Sequence, residues 1–147
     1  MAIEIERKFL VEPSLLPALP APDELQQGYL ADDPAVRVRL RTLPGGEQRG
    51  FLTVKGRGLV ARAEFEYEIP PGDAAQLLLL CKTSLRKRRW VLGRWELDQF
   101  PDRGLWLAEI ELDSEAEAFD RPAWVGAEVS GDARYQNVNL AAAAPGR

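Results

Sequence analysis

The feature that most constrains the fold is a two-residue alternation of charged and apolar side chains, which recurs along six separate segments. Successive side chains of an extended strand point to opposite faces, so each segment reads as a strand with one charged and one apolar side. On residues 3–11, Glu4, Glu6 and Lys8 oppose Ile3, Ile5 and Phe9, and on 36–41 Arg37, Arg39 and Arg41 oppose Val36, Val38 and Leu40. Thr53 and Lys55 oppose Leu52 and Val54, while Arg62, Glu64, Glu66 and Glu68 oppose Ala63, Phe65 and Tyr67. Glu96 and Asp98 oppose Trp95 and Leu97, and Glu109 and Glu111 oppose Ala108, Ile110 and Leu112.

Turn residues punctuate these runs at short spacing: Pro44-Gly45-Gly46-Glu47, Gly56-Arg57-Gly58, Gly93 and Pro101 to Gly104. Strands are expected at 3–11, 36–41, 51–55, 61–69, 85–92, 94–100 and 105–112, with a short run at 27–30 and extended chain at 124–129. A loop with Pro13, Pro17, Pro20 and Pro22 follows the first strand. After Pro70-Pro71-Gly72, Asp73 with Gln76 three positions on predicts a capping box that opens a helix through about Lys82. A second short helix is expected near 132–141, with Ala141 to Ala144 as its end or a tail. Consecutive strands at this spacing predict a mainly β, α+β fold, an antiparallel sheet curved or closed into a barrel.

Composition narrows the function classes. At 147 residues the chain fits one domain, 1–147, and an apolar share of 46% with 29% charged residues excludes disorder. No apolar run approaches the roughly 20 residues of a membrane span, and Glu4 and Glu6 stand where a signal peptide carries base. The single cysteine, Cys81, suits a reducing compartment, so a cytoplasmic location is expected. A net charge of −4 argues against a nucleic-acid partner. The chain has no histidine, which removes the Ser-His-Asp triad, histidine-ligated zinc and a histidine base together. A metal site must then be oxygen-ligated and take magnesium, manganese or calcium.

The alternation alone fits a sheet with one solvated face as well as a lined cavity. Two features favour the cavity. All charges on 36–41 are positive, and like charges two residues apart repel unless an anion sits among them. Of four lysines, Lys8, Lys55 and Lys87 lie within expected strands. The charged face therefore reads as the lining of a site for a multiply charged anion, with the acids paired at i, i+2 as ligands for an accompanying divalent cation.

The opening Glu4-Ile5-Glu6-Arg7-Lys8 resembles the Glu-x-Glu-x-Lys signature of the CYTH domain, the triphosphate tunnel metalloenzyme superfamily. The resemblance continues through Gln27-Gly28-Tyr29-Leu30, Val36-Arg37-Val38-Arg39, Leu52-Thr53-Val54-Lys55-Gly56 and Glu64-Phe65-Glu66-Tyr67. It extends to Lys87-x-Arg89-Trp90, Trp95 to Phe100, Glu109 to Leu112, Gly126 to Val129 and Arg134-Tyr135-Gln136-Asn137, and is similar to the short bacterial members. It implies a closed eight-stranded antiparallel barrel with a few flanking helices, whose charged lumen holds a triphosphate and one or two divalent metals. The apolar face would then pack outside, beneath the 73–82 helix and the C-terminal segment.

On the matched positions, Lys8, Arg37, Arg39, Lys55, Lys87 and Arg89 are expected to clamp phosphate oxygens, with Arg62 and Tyr29 beside them and Arg41 past the tunnel mouth. Glu4, Glu6 and Glu111 are the first metal-ligand candidates for Mg2+ or Mn2+, with Glu109, Glu64, Glu66 and Asp98 next; some of these acids must instead hold arginines. Glu4, Glu6, Lys8, Arg39, Lys55 and Lys87 form the expected catalytic set. The implied reaction is metal-dependent hydrolysis of inorganic triphosphate to diphosphate and phosphate, for which no histidine base is needed. The rivals are class IV adenylate cyclase, a nucleoside or thiamine triphosphatase, and a polyphosphate-binding module without turnover. The expected partner is a triphosphate-bearing small molecule, with neither nucleic acid nor membrane, and an exposed part of the apolar face leaves room for a homodimer.

Overall fold

The alternating segments become strands of one antiparallel sheet. The computed structural model describes residues 2–143. Its strands are β1 (Ala2–Val11), β2 (Asp23–Asp32), β3 (Ala35–Thr42), β4 (Gln48–Lys55), β5 (Ala61–Ile69), β6 (Thr83–Leu92), β7 (Trp95–Phe100), β8 (Leu105–Glu111) and β9 (Val125–Glu128), with helices α1 (Pro71–Leu78) and α2 (Asn137–Ala142). Neighbours run β1-β8-β7-β6-β2-β3-β4-β5, and β5 returns to β1, closing a barrel of eight. The ninth strand lies off the ring. β1 gives one edge to β8 and divides the other, residues 2–5 to β5 and 9–11 to β9. The hairpin between β6 and β7 turns on Gly93, whose φ of +63° is the left-handed conformation such a tight turn requires.

Three local expectations are corrected. The run at 27–30 is the middle of a ten-residue strand, because β3 and β6 bond β2 along both edges. α1 starts at Pro71 without a side-chain cap, so Asp73 sits in its first turn rather than at its cap. It stops at Leu78 and not at Lys82, whose backbone N–H already donates to the Tyr29 carbonyl. The helix expected at 132–141 is a 3₁₀ turn, Ala133–Tyr135, and α2, separated by an extended Gln136. Ala144 lies outside the described residues.

Two apolar cores result. The outer one joins Phe9, Trp90, Trp95, Leu97, Ala108, Ile110, Leu112 and Trp124 beneath Leu16, Leu19 and Phe119. Trp95 meets Phe9, Phe119 and Trp124 edge-on, with centroids 5.4 to 5.8 Å apart. Trp90 stacks on Trp106 and donates to the Pro20 carbonyl at 2.7 Å, so its role is structural. α1 packs outside on β2, β3 and β4, with Ala74 pressed against Gly50.

The inner core is the larger correction. Tyr29, Leu85, Phe100 and Leu107 share strand parity with the charged side chains, and Leu140 and Ala141 of α2 pack onto them. The C-terminal segment therefore stops one end of the lumen instead of covering the outer face. That outer cover is supplied by the proline loop and residues 113–124. Ile3, Phe65 and Tyr67 stay exposed on the outer side of β1 and β5. No helix among the described residues is long and apolar enough to cross a membrane.

Candidate active site

The charged parity of every barrel strand converges on one cavity of about 360 Å3. Eight basic and eight acidic side chains line it. They are segregated around the ring. The adjacent strands β6, β2, β3 and β4 contribute six of the cations: Lys87, Arg89, Arg37, Arg39, Arg41 and Lys55. The other half, β5, β1, β8 and β7, contributes seven of the acids: Glu64, Glu66, Glu4, Glu6, Glu109, Glu111 and Glu96. Only Lys8, Arg62 and Asp23 cross this division.

Ion pairs fix most of the cations. Lys55 Nζ donates to Glu4 at 3.0 Å and lies 3.4 Å from Glu64, and Arg62 stands 3.6 Å from Glu4. Lys8 Nζ donates to the Tyr135 carbonyl at 2.8 Å, with Glu109 at 3.4 Å. Arg37 donates to Thr53 Oγ1 and stands 3.7 Å from Glu66, while its buried Nε has no hydrogen-bond partner. Arg41 lines the cavity and bonds Asp23 at 2.7 Å.

Asp98 stands apart from the other expected ligands. It does not line the cavity; it is 1% exposed, takes both Nε and Nη2 of Arg89 at 2.8 and 2.9 Å, and forms an ion pair with Lys87 at 2.7 Å. Its register explains this, since Asp98 lies directly opposite Arg89 on β6. The remaining expected site residues, Glu4, Glu6, Lys8, Tyr29, Arg37, Arg39, Lys55, Arg62, Glu64, Glu66, Lys87, Arg89, Glu109 and Glu111, all line the cavity. Glu96, Gln27 and Asn137 were missed. Glu96 shares Asp98's parity, and Gln27 shares that of Tyr29. Asn137 follows no strand period.

The electrostatics follow from this crowding. Burial, with Glu109 and Glu4 beside it, pushes the Glu6 carboxyl well above the usual range. Burial and the hydrogen-bonded Glu4 raise Glu64 to about 7. Burial also opposes ionisation of Glu109, but Lys8, Lys87 and Arg89 outweigh it and hold that carboxyl well down. Lys87 falls to about 7 through burial, Asp98 opposing and Arg89 and Arg39 adding to the fall. Arg39 falls to about 9 through burial and the nearby Arg37 and Arg89.

Glu6, Glu96 and Glu109 each offer a carboxylate oxygen within 4.8 Å of the other two. They meet because Glu96 lies opposite Glu109 across β7–β8, and Glu109 lies opposite Lys8, two residues from Glu6. Crowded all-oxygen donors, of which Glu109 is buried and Glu6 and Glu96 half-buried, with the Glu6 carboxyl driven toward its neutral form, fit a hard divalent cation.

The model of the CYTH domain matches residues 2–143. An inorganic triphosphatase of Acetivibrio thermocellus is 41% identical, covering 95% of this chain and 94% of its own, and one of Nitrosomonas europaea is 37% identical, covering 97% and 99%. The crystal structure of the inorganic triphosphatase NE1496 superposes with a TM-score of 0.59 at 34% identity, covering 99% of both chains. A putative adenylyl cyclase of Hippeastrum, at 21% identity and TM-score 0.54 over 78% of this chain and 80% of its own, shares the fold.

Proposed function

The chain belongs to the CYTH domain family, and we propose that it hydrolyses inorganic triphosphate to diphosphate and phosphate inside the barrel, with a divalent metal, magnesium or manganese. The carrying observation is the divided lining. A basic half-ring faces an acidic half-ring across one cavity, so a polyanion held by the first needs a cation to lie against the second.

In this reading Arg37, Arg39, Lys55, Arg62, Lys8, Lys87 and Arg89 fix the phosphates in line and stabilise charge on the transferred phosphoryl group, with Tyr29 beside them. Glu6, Glu96 and Glu109 would hold a metal, with Glu4, Glu64 and Glu111 as further donors around it. When bound, it supplies Lewis-acid neutralisation of phosphate oxygens. Asp98 serves as counter-ion to Lys87 and Arg89.

We further take the chain as one domain over 1–147, cytoplasmic, acting on a small molecule rather than on nucleic acid or a membrane. The pairing of exposed Arg49, Arg57, Arg86, Arg88, Arg94 and Arg134 with acids, which leaves those arginines no open basic surface, argues against a nucleic-acid partner.

The test is phosphate release from inorganic triphosphate, ATP and thiamine triphosphate in parallel, each with magnesium, manganese or chelator. Metal-dependent release from inorganic triphosphate far above the others is expected. Tight binding of all three without release would overturn hydrolysis in favour of a binding module.

A further inference from the structure

Arg39 is the one lumen cation without a carboxylate partner among the described residues. Its Nε and Nη2 instead both donate to Oε1 of Gln27, at 3.0 and 2.8 Å. Gln27 is fully buried, and its Nε2 donates to the Tyr29 hydroxyl and to Asn137 Oδ1, each at 3.2 Å. Asn137 Oδ1 also accepts from Lys87 Nζ at 2.7 Å. The direction of this chain is forced from both ends. Arginine and lysine can only donate, so Oε1 of Gln27 must face Arg39 and Oδ1 of Asn137 must face Lys87. The remaining Gln27 N–H group then completes the link.

We propose that Gln27 and Asn137 form an amide bracket that aims Arg39 at the substrate while leaving its charge unspent, making both positioning residues. The inference rests on the reading that the lumen takes triphosphate. A carboxylate at position 27 would grip Arg39 as firmly, but it would neutralise the guanidinium before substrate arrived. A neutral amide fixes the geometry alone. The bracket also gives α2 a part in the site, because the helix that stops the lumen supplies the acceptor that orients Gln27 and Lys87.

The test uses Q27E, Q27M and R39Q, with both double variants, in the full chain. Binding of tripolyphosphate is measured by calorimetry with chelator present, and kcat and KM with magnesium. Q27E is isosteric and gains an ion pair with Arg39 but gives up the N–H donated to Asn137 Oδ1, so its melting temperature should stay close to wild type. Its Kd and KM should nevertheless rise about tenfold or more, the loss of one charged hydrogen bond to a phosphate oxygen. Q27M, which leaves Arg39 unheld, should move both in the same direction. In the R39Q background either change should shift Kd less than about twofold. An unchanged Kd in Q27E, an equal penalty in the R39Q background, or loss of fold in both Q27E and Q27M would each overturn the bracket. Wild type that binds tripolyphosphate without cleaving it overturns the hydrolytic reading alone, because Kd still reads the bracket. Wild type that does not bind overturns both.

Discussion

Replacing Asp98 with asparagine removes a charge and almost no volume, so it isolates what the carboxylate does for Lys87 and Arg89. Folding lowers this carboxyl from 3.8 to about 2: burial pushes it up, but Arg89 and Lys87 together pull it further down. At about 1.4 kcal/mol per tenfold change in proton affinity, ionised Asp98 contributes on the order of 2–3 kcal/mol over its neutral form, which asparagine imitates. Stranding Arg89 raises the loss toward the roughly 3–5 kcal/mol of a broken buried pair, although Glu96 still holds one of its nitrogens. Asp98→Asn should therefore lose about 2–4 kcal/mol in urea melts at pH 7, near 5–15 °C in Tm for a chain of this size. A depressed carboxyl stabilises above its unfolded pKa and loses that contribution as pH falls through its folded one. The gap between wild type and variant should thus be level above about pH 5 and close as the pH nears 2. A loss under about 1 kcal/mol, or a gap that persists at pH 2, would refute the counter-ion role. A shifted metal titration with unchanged melts would make Asp98 a ligand.

Two further substitutions probe the lumen and the outer layer. Glu6→Gln relieves the crowding that burial, Glu109 and Glu4 impose, so in chelator it should melt above wild type, with a margin that grows as pH rises above 4.5. In the same variant the metal needed for half-maximal activity should rise at least several-fold, and a wild-type metal titration would place the cation elsewhere. Gly50→Ala should cost about 1–3 kcal/mol, because a Cβ there would lie 2.9 Å from both Ala74 Cβ and the Ile69 carbonyl; an unchanged denaturant midpoint would mean α1 is free to shift.

The side of each strand was legible because a period of two decides it without reference to partners. The alternation predicts a strand over 61–69, and β5 spans those same residues. The sequence predicts only 27–30 of β2, because Asp23-Glu24-Leu25-Gln26 carries no clean alternation; its lumen side mixes Asp23, Leu25, Gln27 and Tyr29, and only two flanking ladders hold it extended. The split among the acids was not legible either. Which cation a carboxylate meets depends on the register across the ladder: Asp98 lies opposite Arg89, whereas Glu96 lies opposite Glu109 and still reaches Arg89. Register of that kind is a property of the closed ring and is absent from any single strand. The stopper was hidden for a similar reason, since α2 joins lumen-parity side chains that no local pattern marks as apolar or exposed.

The divided edges of β1 set a schedule for synthesis. Glu6 lies opposite Glu111, 105 residues later in the chain, and Val11 opposite Val125. At roughly 5–20 residues per second a ribosome needs about 5–20 s to bridge the first of these intervals. During that time the hairpins β2–β3, β3–β4 and β4–β5 can form as they emerge, while β1 waits for its β8 partner. Glu4 and Glu6 leave the ribosome early, but the acids of β8 join them only when the ring closes. The cluster of Glu6, Glu96 and Glu109 is thus among the last parts of the molecule to assemble, and a ribosome-bound chain halted before β8 would hold the basic half-ring without Glu109 and Glu111.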